Sequence, residues 1–237
     1  MAIHIPKYKT TLASSGLLMP ELSVLSSEAN TDISYDHLRC LVVDDNFLSK
    51  PSTQSRQQIW AKLVGRYKFD FDDEIFRLWW QLISETEGYD QAQLAVLRWA
   101  QYDLLLRFLW SDIYLPRINM DSYVRSENVM DFISLVEGNS TGKGFFMARS
   151  ENVRIRIAQH FLLALRECGA AKGKRNKVFV PLPVGEKAAC YAGRLAGWEL
   201  PGSQEILNHW ALRWWGGGSA KADEILRRTQ MDNNPAG

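Results

Sequence analysis

The sequence predicts a mainly α fold, a multi-helix bundle carrying one small β-hairpin or wing. Three observations predict it. Apolar residues recur at helical spacing in window after window, and each window is closed by Pro, Gly or a polar cluster. A short β-favouring run with a turn signal beside it, Val178-Phe179-Val180, follows a glycine-containing basic tip. A chain of 237 residues, 46% hydrophobic and 23% charged, can bury a sizeable core and does not have the composition of a disordered one.

Taken in order, the first helix is expected over about 31–43, capped by Asp32 or Ser34 and interrupted by Asp44-Asp45-Asn46. Lys50-Pro51-Ser52 then turns the chain into a helix over about 52–67. Its Ile59, Trp60, Leu63, Val64 and Tyr67 share a face, and Arg56, Gln57, Lys62 and Arg66 fall largely outside it. Helices over about 72–85 and 90–114 follow, the second ended by Pro116, and another over 121–137 stops at Gly138. A long helix from Ser150, its expected cap, to Cys168 stops at Gly169. Val153, Ile157, Phe161, Leu162 and Leu165 form its apolar face. Arg149, Asn152, Arg156, Gln159, His160 and Arg166 lie opposite, at 100° per residue. The wing spans the basic tip at 170–177 and the run after it. A helix over 203–215 with Leu207, Trp210, Ala211 and Trp214 on one face, a short helix near 220–229 and a frayed tail complete the chain. Most of the nine Trp are expected as core or interface anchors.

Composition removes several function classes. The three Cys (Cys40, Cys168, Cys190) are far apart and form no CxxC pair, which supports neither a zinc site nor a disulfide framework and fits a reducing, cytoplasmic setting. The N-terminus lacks the apolar run of a secretory signal. The stretch from Leu94 to Leu115 contains Arg98, Asp103, Arg107 and Asp112; a bilayer would penalise each by ~2.5–3.5 kcal/mol near its centre, so a buried helix is expected instead. Segment 138–144 is rich in small residues but has no Gly-Lys-Ser/Thr five residues after a Gly and no preceding strand, so it is read as a loop and not as a phosphate cradle. The four His have no metal-ligand spacing. Carboxylates at Asp70, Asp72, Asp73 and Glu74 precede a helix, where its dipole favours them without a metal. No nucleophile elbow or SxxK pair is present. The expectation is a non-enzymatic protein with no catalytic residue, metal site or cofactor.

Charge carries the positive signal. Residues 1–139 have a net charge of −6, residues 140–194 of +8 and residues 195–237 of −1, which divides the chain into an acidic helical region, a basic helix-plus-hairpin region and a Trp-rich extension. A helix can enter the major groove of duplex DNA while a basic tip touches the adjacent backbone, gaining affinity by counterion release. The candidate residues are Arg149, Arg154, Arg156, Lys172, Lys174, Arg175 and Lys177, with Arg154 the least well placed because its wheel angle falls within the apolar face.

Four stretches carry a family likeness: Tyr8-Lys9-Thr10-Thr11 through Gly16-Leu17-Leu18-Met19-Pro20-Glu21, Asp45 to Ser52 followed by Leu63 to Tyr67, Arg98 to Phe108, and Ser150 through Leu165 to Gly169. Together they resemble the BrxA family, a component of bacterial BREX phage-defence systems. The resemblance extends over about 8–183 and finds no counterpart for the Trp-rich stretch after about 195. It implies a small helical protein without enzymatic activity, similar to antitermination-factor-like bundles with helix-turn-helix character. It also implies double-stranded DNA and the other BREX components as partners. A protein–protein adaptor whose basic face meets an acidic partner, or an RNA-binding protein, remains the alternative on the residues alone.

Overall fold

Local capping chemistry sets where several helices begin in the computed structural model, which describes residues 10–28, 33–118, 120, 123–137 and 149–231. The described residues form ten α-helices and a small three-stranded antiparallel sheet, so the fold is mainly α with a minor β element. Asp32, the segment 138–144 and the C-terminal tail lie outside the described residues. Among the described residues no helix is long and apolar enough to cross a membrane. Contacts divide the chain into two compact units, each drawn from two separate stretches.

The larger unit comprises Leu17–Trp99 and Pro183–Gly237. It holds α1 (Met19–Ser27), α2 (Tyr35–Arg39, prolonged by a π-helical turn at Cys40–Asp44), α3 (Thr53–Tyr67), α4 (Glu74–Ser84), most of α5 (Gly88–Tyr102), α9 (Glu186–Glu199) and α10 (Gly218–Met231). Ser34 caps α2 by accepting from His37 N at 3.2 Å, and Ser52 caps α3 in a capping box with Ser55. Asp73 caps α4 by accepting from Ile75 N at 2.9 Å, the role expected for this acidic run. Seven of the nine Trp are buried; Trp198 is exposed and Trp210 half-buried. Arg98 lies fully buried beside Phe76 and Trp79. Its Nε donates to Tyr67 O at 2.9 Å and its Nη2 to Lys68 O at 3.0 Å, which satisfies carbonyls at the end of α3, and the guanidinium sits over the Phe76 ring.

Expectation and structure differ at several points in this unit: α1 precedes the helix expected first, and Arg66, expected outside the apolar face of α3, is fully buried. The span 203–215 is not a helix: it consists of turns and a 3-10 turn at Ile206–Asn208. Pro201-Gly202 opens it, and His209 Nδ1 accepts from Ala211 N while Nε2 donates to Glu199 at 2.7 Å, so side chains replace helical backbone partners. Trp214 and Trp215 are nonetheless buried, and Trp215 Nε1 donates to Gln93 Oε1 at 3.2 Å. Helix α9 was not expected at all. Its N-terminus has no local side-chain cap; the carboxylate of Asp90 on α5 accepts from Lys187 N and Ala188 N at 3.1 and 3.0 Å.

The smaller unit comprises Met1–Gly16 and Ala100–Leu182. It contains α6 (Leu104–Leu109, continued by a π turn at Trp110–Tyr114 and a 3-10 turn at Leu115–Arg117), β1 (Tyr123–Val124), α7 (Ser126–Glu137), α8 (Glu151–Glu167), β2 (Ala171–Lys172) and β3 (Lys177–Phe179). The sheet order is β1-β3-β2, all antiparallel, with Tyr123 opposite Val178 and Ala171 opposite Phe179. The helix expected over 90–114 breaks at Asp103, whose backbone is extended and whose buried carboxylate caps α6 through Leu106 N. The same carboxylate accepts from Thr10 Oγ1, from Thr11 Oγ1 and from Thr11 N at 2.7 Å, and so holds the N-terminal segment. Within the helix expected over 121–137, Tyr123–Val124 is instead strand β1, drawn out by pairing with β3, and 121–122 lie outside the described residues.

The three-part division by charge does not coincide with these units. Counted by unit, the smaller carries 14 basic and 8 acidic side chains, a net of +6, and the larger 14 and 19, a net of −5.

Candidate nucleic-acid interface

Helix α8 and the β2–β3 hairpin form the basic part of the smaller unit. Ser150 occupies the N-cap position of α8, with Arg154 N donating to its carbonyl at 3.1 Å, but its side chain makes no capping bond, contrary to expectation. The helix stops at Gly169, as expected. Gly169 takes φ 88°, and Ala170 N donates to Leu165 O at 2.7 Å to close the C-terminus. Ile157, Ala158, Phe161, Leu162, Ala164 and Leu165 are buried, whereas Asn152, Arg156, Gln159 and Arg166 are exposed. His160 is a structural group: its Nδ1 donates to Leu12 O at 2.6 Å.

The hairpin tip is shaped by Gly173, which has φ 93° and packs so tightly that a Cβ there would collide with the Asn176 carbonyl. Lys172, Lys174 and Arg175 are exposed at the tip. Lys177 is half-buried and donates through Nζ to Lys174 O at 2.8 Å; burial lowers its pKa, and the neighbouring positive charge of Arg166 lowers it further. Behind the hairpin, Phe179 is buried with an edge contact to Tyr114, and Tyr114 Oη donates to Val180 O at 2.8 Å. The basic tip therefore stands on a packed base.

Arg149 and Arg154 are placed differently from the other candidates. Both engage the buried carboxylate of Glu137, the last residue of α7. Arg149 donates through Nη1 at 2.6 Å and through its backbone N at 3.3 Å, and Arg154 through Nε at 2.7 Å. The side chain of Glu137 is 0% exposed, that of Arg149 12% and that of Arg154 26%. These three residues join the end of α7 to the start of α8. Charge counting does not separate such arginines from exposed ones. Arg154 falling within the apolar face was the signal of this role. Arg166, beside Lys177, was absent from the candidate set although its wheel position placed it on the polar face.

Among the described residues no three His, Cys, Asp or Glu side chains gather as a metal site would require. Cys168 is fully buried at the end of α8, and burial pushes its thiol up to about 12.

Together these features define a mainly helical protein whose small antiparallel sheet carries an exposed basic hairpin beside a polar helix face. The chain belongs to the BrxA family, whose model matches residues 6–192. No curated protein matches it. Membership supports a BREX-associated accessory role. The match ends within α9, before the Trp-rich segment, which is part of the core of the larger unit.

Proposed function

We propose that this chain is a non-enzymatic accessory protein of a BREX phage-defence system that binds double-stranded DNA through α8 and the β2–β3 hairpin. The observation that carries the reading is the hairpin itself: Lys172, Lys174 and Arg175 are exposed on a tight turn whose base is fixed by Phe179 and Tyr114. The element order supports it. Helix α6, strand β1, helices α7 and α8, then a β2–β3 hairpin with sheet order β1-β3-β2 is the order of a winged helix-turn-helix, whose last helix and hairpin meet nucleic acid. The net charge of +6 on this unit favours a polyanion. Arg156, Arg166, Lys172, Lys174, Arg175 and Lys177 are the direct contacts in this reading, and Arg149 and Arg154 act by fixing α8 through Glu137.

The test is a salt-dependent titration with duplex DNA, single-stranded DNA and RNA in parallel. Each phosphate neutralised contributes about 0.9 to the slope of log K against log salt on B-DNA. Replacing Lys172, Lys174, Arg175 and Lys177 together by Ala should flatten the slope by up to roughly 3–4 and weaken all duplex sequences alike. Unchanged affinity and slope would remove the hairpin from the interface. Preference for RNA, or no polyanion binding with loss of a protein partner in the same variant, would favour the alternatives.

A further inference from the structure

The hairpin accounts for affinity to a phosphate backbone, but the exposed face of α8 has a different chemistry. Asn152, Arg156 and Gln159 are all exposed, at spacings of four and three residues. At 100° per residue they lie within about 40° of the line through Asn152, so they project as one row. Further along the same row come Leu163, which lies against Gly16 of the N-terminal segment, and Arg166, which neighbours Lys177 of the hairpin. The row therefore has an outer half of amide, guanidinium and amide, a middle at Leu163 that meets the N-terminal segment, and an exposed arginine, Arg166, at its far end. Glu151, an exposed carboxylate in the first turn, lies about 100° away from the row. The other two arginines at this end of the helix, Arg149 and Arg154, are on Glu137.

A helix face whose affinity came only from counterion release would be filled with Lys and Arg. Two of these three side chains are uncharged amides, each with a donor and an acceptor side by side. That pairing matches the N6 and N7 edge of adenine, while a guanidinium matches the O6 and N7 edge of guanine. Asn152 to Gln159 covers about 10 Å of helix at 1.5 Å per residue, close to the span of three base-pair steps of about 3.4 Å.

We propose that Asn152, Arg156 and Gln159 are specificity-determining residues that read base edges in the major groove, so that the chain prefers a short duplex sequence containing adenine and guanine positions within about four consecutive base pairs. This rests on the DNA-binding reading above. The hairpin then supplies sequence-independent affinity and the outer half of α8 supplies discrimination.

The experiment is selection of duplexes from a randomised pool with the full chain, followed by titration of the selected and a scrambled duplex. A good bidentate pair discriminates its base about 5- to 150-fold. The wild type should enrich such a motif. Asn152→Ala and Gln159→Ala should each relax one adenine position and lower the selected-over-scrambled ratio by a factor in that range. Arg156→Ala should relax the guanine position. Lys174→Ala with Arg175→Ala should lower both affinities in parallel and keep the ratio, with circular dichroism confirming that each variant is folded. Duplex binding without any enriched motif, or three α8 variants that retain the wild-type motif, overturns this inference and leaves the DNA-binding reading standing. No duplex binding even at low salt overturns both.

Discussion

Replacing Glu137 by Ala tests how α8 is held. The substitution removes the acceptor for Arg149 Nη1 and Arg154 Nε and leaves two guanidinium groups that are 12% and 26% exposed. Removing one partner of a buried ion pair costs about 3–5 kcal/mol, because the remaining charge stays desolvated. Both arginines reach the surface in part and can turn toward water, so the low end applies, about 3 kcal/mol. For a chain of this length each kcal/mol lowers Tm by about 2–4 °C, which gives a fall of about 6–12 °C in a thermal melt followed by circular dichroism. Glu137→Gln keeps an acceptor but not the charge, and should lose about half as much. Replacing all three residues together by apolar ones of similar volume, Glu137→Leu with Arg149→Met and Arg154→Met, should restore most of the stability, since no unpaired charge is then left buried. A Glu137→Ala variant within about 0.5 kcal/mol of the wild type, a difference ordinary for a surface substitution, would refute the reasoning.

Three further outcomes follow from the packing. Asp103→Ala removes the cap of α6 and the anchor of Thr10 and Thr11; it should destabilise the smaller unit by about 2–4 kcal/mol and accelerate hydrogen exchange at the Thr11 amide, and an unchanged exchange rate there would contradict the anchor. Asp90→Ala should cost about 1–2 kcal/mol and raise exchange at Lys187 and Ala188; protection unchanged at these amides would show that α9 is capped otherwise. Cys168 should resist alkylation in the native protein at pH 8, because its buried thiol, pushed up to about 12, stays protonated. Exposed Cys40 should be labelled first in a mass-spectrometric time course, and equal rates would contradict the burial.

The sequence by itself determined the features that depend on neighbours a few residues away. The caps at Ser34 and Ser52, the capping role of Asp73, the stop at Gly169, and the polar row of α8 all involve interactions within about one turn of helix, where residue type and spacing suffice. The glycine-containing basic hairpin was legible for the same reason, and most of the Trp were correctly expected in the core. Tertiary structure decided whatever has its partner far along the chain. Asp103 breaks a helix because Thr10 and Thr11 take its carboxylate, and α9 begins where Asp90 offers acceptors from almost a hundred positions earlier. Strand β1 exists because β3 pairs with it. Arg149 and Arg154 look equivalent to Arg156 in any count of charge, yet two of the three are directed to Glu137 and one to solvent. A long-range hydrogen bond or ion pair leaves no local pattern of propensity or periodicity, because it depends on where folding brings the partner rather than on the residues beside it.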